Sequence, residues 1–126
     1  MSNNSAVFED PHDTRSIDAM GIDLNLEPVQ AGLLVNGNPG TAVQRLGEIF
    51  DVEFGLWEMS EGSMRDVEAE ELFIVLSGKA SVRVEPVNGF EAEEISLVPG
   101  SICHLREGMH TTWVVDQPLR KVYLAK

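Results

Sequence analysis

The sequence predicts an all-β domain, a sandwich or barrel of short strands, preceded by an acidic N-terminal arm. Three observations carry this. From Val35 onward turn signals recur about every 8–12 residues, the spacing of a sandwich or barrel. The segments between them alternate apolar and polar residues or are short apolar runs. No stretch after Val35 holds a long helical period.

Residues 1–30 form the arm. They hold Glu9, Asp10, Asp13, Asp18, Asp23 and Glu27 against Arg15 alone, and their apolar residues show no clear period. Such a segment reads as disordered or loosely docked. Ile17, Met20, Ile22 and Leu24 are available to cap the barrel or to lie on a partner subunit. Residues 31–126 are the β domain. Asn36-Gly37-Asn38-Pro39-Gly40 is a turn cluster. Phe50-Asp51-Val52-Glu53-Phe54 alternates strictly, as a half-buried strand does. Leu72–Leu76 is apolar throughout, which predicts a strand buried on both faces. Ala80, Val82 and Val84 alternate with Lys79, Ser81, Arg83 and Glu85. Asn88-Gly89 predicts a hairpin turn. Ile95–Val98, Trp113–Val115 and Val122–Leu124 are further short strands.

Composition bounds the function. The chain has 126 residues, 43% hydrophobic and 24% charged, the size of one soluble globular domain. Its formal net charge is −12, and such a surface repels phosphate backbones and anionic lipids. Nucleic acid and membrane surfaces are therefore not expected partners. No apolar run approaches the roughly 20 residues that span a bilayer. Met1-Ser2-Asn3-Asn4 lacks the basic and apolar regions of a signal peptide. Cys103 is the one cysteine, which excludes an internal disulfide. These features predict a cytoplasmic protein.

Two blocks carry a resemblance. Glu71-Leu72-Phe73-Ile74-Val75-Leu76-Ser77-Gly78 is an acidic residue, an apolar strand and a glycine. Val98-Pro99-Gly100-Ser101, Glu107-Gly108 and Thr111-Thr112-Trp113 follow. Together they resemble the two motifs of the cupin superfamily over roughly residues 36–126. The resemblance implies a double-stranded β-helix, or jelly roll, whose interior holds the function. Gly55-Leu56-Trp57-Glu58, Glu61-Gly62, Thr112-Trp113 and Arg120-Lys121-Val122-Tyr123 resemble the small cupins grouped with ethanolamine-utilisation proteins and ureidoglycine aminohydrolase. It also implies a homodimer, since cupins commonly pair through a sheet edge or exchange terminal strands.

The usual metal-binding histidines are missing. Counting back from Glu71, their slots fall on Met64 and Asp66, or on Arg65 and Val67, and the later slot falls on Thr111 with His110 just before it. Only Glu71, with Asp66 beside it as a second oxygen donor, keeps a metal-ligating character. One or two oxygens make a weak divalent site. No metal ligand is assigned, and the cofactor is left open.

Glu71 is the first catalytic candidate. It shares a strand face with Phe73 and Val75, so its carboxylate reads as either an inward acid, base or ligand group or a solvated strand end in line with Glu68 and Glu70. His110 is the second. Alternation points it away from Thr111 and Trp113, and a one-residue bulge would turn it inward. Ligand-binding candidates are Arg65, Trp57, Trp113, Thr111 and His104. Arg65 reads as a bidentate fork for a carboxylate or as a surface partner of Glu68. Trp57 and Trp113 read as pocket walls or core. His104 lies on the strand Ile102–Leu105, and Cys103 beside it reads as a small core residue. The expected site joins Glu71, Arg65 and one of His104 or His110, flanked by Trp57 or Trp113. The expected function is binding of a small polar or anionic metabolite. The alternatives are an enzyme resembling ureidoglycine aminohydrolase, acting on a small amide, amine or sugar-like metabolite, and a partner protein working through its surface.

Overall fold

The computed structural model describes residues 7–12 and 15–126, so positions 1–6 and 13–14 of the arm lie outside the described residues. Alternation and turn residues produce nine strands: β1 (Glu27–Pro28), β2 (Leu34–Gly37), β3 (Gly40–Ile49), β4 (Val52–Met59), β5 (Gly62–Val67), β6 (Glu71–Val84), β7 (Glu93–Leu97), β8 (Ile102–Leu105) and β9 (His110–Ala125). Every strand pairing is antiparallel. Among the described residues no helix is long and apolar enough to cross a membrane.

The two longest strands organise the rest. β6 and β9 pair from Glu71↔Ala125 to Val84↔Thr111. The other edge of β9 carries β4 along residues 119–125 and β5 along residues 110–115. The other edge of β6 carries β8 and then β7. β3 adds to β4, β1 to β3, and β2 to β5. The long strands thus run through two half-sheets and bend between them. At the bend Gly78 has φ 94°, and the register shifts repeatedly between Val75 and Ala80. A side chain at Gly78 would overlap the carbonyl oxygen of Pro118 on the facing strand. Glycine is therefore required there both by φ and by space.

The bend lays the half-sheets face to face. Trp57 of β4 meets Trp113 of β9 with ring centroids 5.3 Å apart, and Phe73 of β6 meets Trp113 at 5.7 Å. Met59, Phe73, Val75 and Leu119 from one half pack with Val82, Leu97, Trp113 and Val115 from the other. Cys103 is buried beside them, as its strand context predicts.

Several sequence expectations are corrected. Phe50 and Asp51 do not extend a strand; they are the two-residue turn between β3 and β4, with φ 54° and 61°. Paired positive φ values define the hairpin turn usually filled by Asn-Gly, so Phe-Asp hides it. Leu72–Leu76 is not buried on both faces. Phe73 and Val75 are buried, whereas Leu72 is 38% exposed. The runs around Leu72 and Ala80 are one strand, as are those around Trp113 and Val122. The Asn88-Gly89 turn is observed, with φ 56° and 83°, inside a longer loop joining β6 to β7.

The described part of the arm docks on the outer side of β3, β4 and β9. Phe8 N–H donates to Leu46 O at 2.8 Å, and its ring packs tilted against Phe54 with centroids 5.8 Å apart. Glu9 pairs with Arg45 at 2.7 Å. Arg120, which is buried, donates to the carbonyls of Ala19 and Ile22 at 2.9 and 2.6 Å and to Glu58 at 2.8 Å. β1 arises inside the segment read as arm and extends the sheet from β3.

Candidate functional site

Strand parity sets the inward residues. On β9, Thr111, Trp113, Val115, Leu119, Lys121 and Tyr123 are all buried. Glu71, Phe73 and Val75 of β6 share one face, as the sequence implies. Trp57 on β4 and Asp66 on β5 complete the wall. They enclose a cavity of about 210 Å³ lined by Val43, Glu53, Trp57, Asp66, Glu68, Glu71, Trp113, Lys121 and Tyr123. A second cavity of about 420 Å³ shares Val43 and Trp57 with it and is lined by Glu27, Val29 and Leu33.

Lys121 dominates the interior. Its Nζ lies 2.5 Å from Glu71 Oε2. The same atom sits 4.6, 4.2 and 4.6 Å from the ring centroids of Trp57, Phe73 and Trp113. Burying an ammonium is costly unless an opposite charge and good contacts meet it. Here a carboxylate and three aromatic faces do so.

Glu68 is also inside, not on the surface beside Arg65. Its Oε2 accepts from Thr111 Oγ1 at 2.5 Å and from Trp113 Nε1 at 3.0 Å. Burial pushes its carboxyl up, against the downward pull of those two bonds. Burial likewise raises Asp66, whose Oδ1 accepts from Val67 N–H at 2.8 Å. Tyr123 donates to Glu53 Oε2 at 2.7 Å, and burial followed by that carboxylate raises its phenol. Gly55 makes room for it, since a Cβ there would lie 2.7 Å from the Tyr123 oxygen. Burial raises the Cys103 thiol to about 11.

Of the expected site residues, Glu71, Trp57 and Trp113 line this cavity, and Thr111 joins them through Glu68 while also lining a second cleft with Arg65 and His110. Arg65, His104 and His110 do not. No bulge interrupts the pairing of Val67 with His110, so His110 stays outward. With Arg65 it lines a separate cleft of about 390 Å³ outside the barrel. His104 is exposed on β8 and pairs with Glu70, which also binds Arg106 at 3.3 Å. The cation beside Glu71 is Lys121, which the sequence resemblance includes with Tyr123 but gives no site role, while Glu68 is expected at the surface. Parity carried the signal. Lys121 and Tyr123 stand at even spacing from Leu119, on the face that buries it.

The comparisons with known proteins fit this geometry. A family profile described as the EutQ-like cupin domain matches residues 46–123. The chain belongs to that family. The EutQ protein of Clostridium difficile is a structural relative of this cupin, with TM-score 0.64 and 16% identity, over 87% of this chain and 84% of that one. A putative ethanolamine utilization protein Q from Salmonella typhimurium gives TM-score 0.55 and 15% identity, over 82% and 94%. A protein of unknown function from Pseudomonas syringae pv. tomato gives 0.64 and 17%, over 87% and 46%. At these identities the structures show the shared jelly-roll fold. No curated protein matches the cupin by sequence.

Cupins commonly hold a divalent metal where the barrel's histidines converge, and the residues here do not fit one. Met64 is core, Thr111 is engaged with Glu68, and the Glu71 carboxylate faces the Lys121 ammonium. Among the described residues no three His, Cys, Asp or Glu side chains converge as ligands. A metal beside Glu71 would meet a positive charge already in contact with that carboxylate.

Proposed function

We propose that this cupin binds a small polar metabolite in its interior cavity, and that the metabolite carries an amino group. The observation that carries this is the lining. Of the lining carboxylates, Glu53 pairs with Arg45 at 3.4 Å and Glu71 with Lys121, which leaves Asp66 and Glu68 facing the cavity without a salt bridge among the described residues. Asp66 has no ion-pair partner among the described residues. A ligand ammonium would supply one, with Trp57 offering an aromatic face. An anion would meet the excess of carboxylates, so the amine class is favoured over the anionic class the sequence suggests. One structural relative is a putative ethanolamine utilization protein, and ethanolamine is a small amine. The test is a thermal-shift and NMR series of small amines against alcohols and acids of equal size. Amine-selective binding that Asp66→Asn abolishes supports the reading; equal responses to all three classes overturn it.

A second reading, an enzyme acting on a small amide or amine, rests on the Asp66 carboxyl. Raised by burial and facing the cavity, it suits a general acid. Ammonia release from small amides and ureides, lost in Asp66→Asn, tests it. We further propose a cytoplasmic homodimer. Leu72 and Ile102, 38% and 70% exposed on the outer side of β6 and β8, support it as an apolar surface awaiting cover.

A further inference from the structure

We propose that the cleft outside the barrel binds a short aliphatic carboxylate, with Arg65 as its anchor. The site is distinct from the interior cavity, though Asp66 borders both. Thr112 lies on β9 directly between Arg65 of β5 and Arg83 of β6. Cross-strand neighbours on one face stand about 5 Å apart, so the side chains of Arg65 and Arg83 arise on either side of Thr112. His110 lies one pair further along the same face, opposite Val67.

Like Lys79 and Lys126, the two arginines make no ion pair among the described residues. Arg45, Arg106, Arg120 and Lys121 each pair with a carboxylate. Neither Arg65 nor Arg83 has an ion-pair partner among the described residues, although Glu94 stands opposite Arg83. In a chain of net charge −12, Arg65 lines a cleft of about 390 Å³ with no carboxylate paired to it among the described residues, and Arg83 arises next to it across Thr112. A planar fork matches a carboxylate in two hydrogen bonds.

The remaining walls narrow the class. Leu33 and Val67, 37% and 59% exposed, offer apolar surface to an aliphatic tail. Glu85 and Asp66 also line the cleft and repel a doubly charged anion. A monocarboxylate with a short chain therefore fits better than a phosphate dianion.

The test is an amide NMR titration of the full chain with sodium butanoate, butan-1-ol and inorganic phosphate at equal ionic strength. Butanoate is expected to give saturable shifts at Arg65, Val67, His110 and Thr112. Arg65→Gln should weaken it about tenfold or more, and Arg83→Gln by a smaller factor. Arg65→Lys should recover part of the loss, since charge remains without the fork. Phosphate should bind more weakly than butanoate, and butan-1-ol should not saturate. Absence of saturable shifts, indifference to Arg65→Gln, an equal response to butan-1-ol, or shifts centred on Trp113 and Lys121 would each overturn the proposal. None of these outcomes depends on whether the interior cavity takes an amine.

Discussion

Glu68 ties stability to pH in a definite direction. Its carboxyl is pushed above the ordinary 4.5 chiefly by burial. The folded state therefore holds that proton more tightly than the unfolded one, and Asp66 acts with the same sign. Their contribution is full below the unfolded value and is lost as pH rises through the folded value. Glu68→Gln keeps an acceptor for Thr111 and removes the titration. Urea unfolding between about pH 4 and about pH 7 should show a flatter decline in the variant than in wild type; an unchanged slope would place the effect elsewhere. Lys121 and Glu71 make a second residue-scale case. Glu71→Gln takes from a buried ammonium its one direct ion-pair partner, leaving Asp66 and Glu68 at longer range, and breaking such a pair costs up to about 3–5 kcal/mol. Lys121→Met in the Glu71→Gln background should restore much of that loss, measured by denaturant melts; additive losses would argue against coupling. Glu71 was legible in the sequence because its motif marks it. Lys121 was not, because a lysine at an inward position contradicts the expectation that lysine is exposed. Its burial depends on three rings brought from three strands.

At the scale of elements, β6 and β9 turn a set of short alternating runs into two bent strands. The sequence shows each run but not their continuity, because Gly78 and Pro118 look like chain breaks. They are instead the bend, and the register shifts beside them absorb it. Gly78→Ala places a Cβ against the Pro118 carbonyl at positive φ. That combination should cost several kcal/mol or abolish folding, read as loss of soluble yield or a fall in melting temperature. A wild-type melting curve would show that the bend tolerates a side chain. The arm was legible as acidic and aperiodic, but where it docks was not, since Arg120 binds its backbone carbonyls, and Phe8 and Glu9 add side-chain contacts that no periodicity marks. Removing residues 1–25 should leave the strands formed but destabilise them, because the buried Arg120 then keeps only Glu58. Far-ultraviolet circular dichroism and urea melts check both halves of this expectation; unchanged stability would make the docking superficial.

For the whole molecule, charge and association oppose each other. Two copies of net charge −12 repel at long range, while an apolar strip around Leu72 and Ile102 favours contact. Association should therefore strengthen with salt. Light scattering at micromolar concentration should give a dimer mass, more completely at about 0.5 M salt than at low ionic strength, where the screening length is near 30 Å. A monomer at every salt concentration would assign the strip another role. The β6–β9 ribbon has a consequence for how the chain reaches this state. Glu71 pairs with Leu105 of β8 on one edge, but its other edge waits for Ala125, and the join between the two half-sheets waits with it. The local hairpins β3–β4 and β6–β7 are joined into one core only through β9. Folding must close a long loop before most contacts are rewarded, which places it among slow, high-contact-order domains, on the order of milliseconds to seconds. A nascent chain stalled before β9 leaves the ribbon without one of its two strands. Shortening the C-terminus through Tyr123 should therefore arrest folding altogether rather than fray an edge.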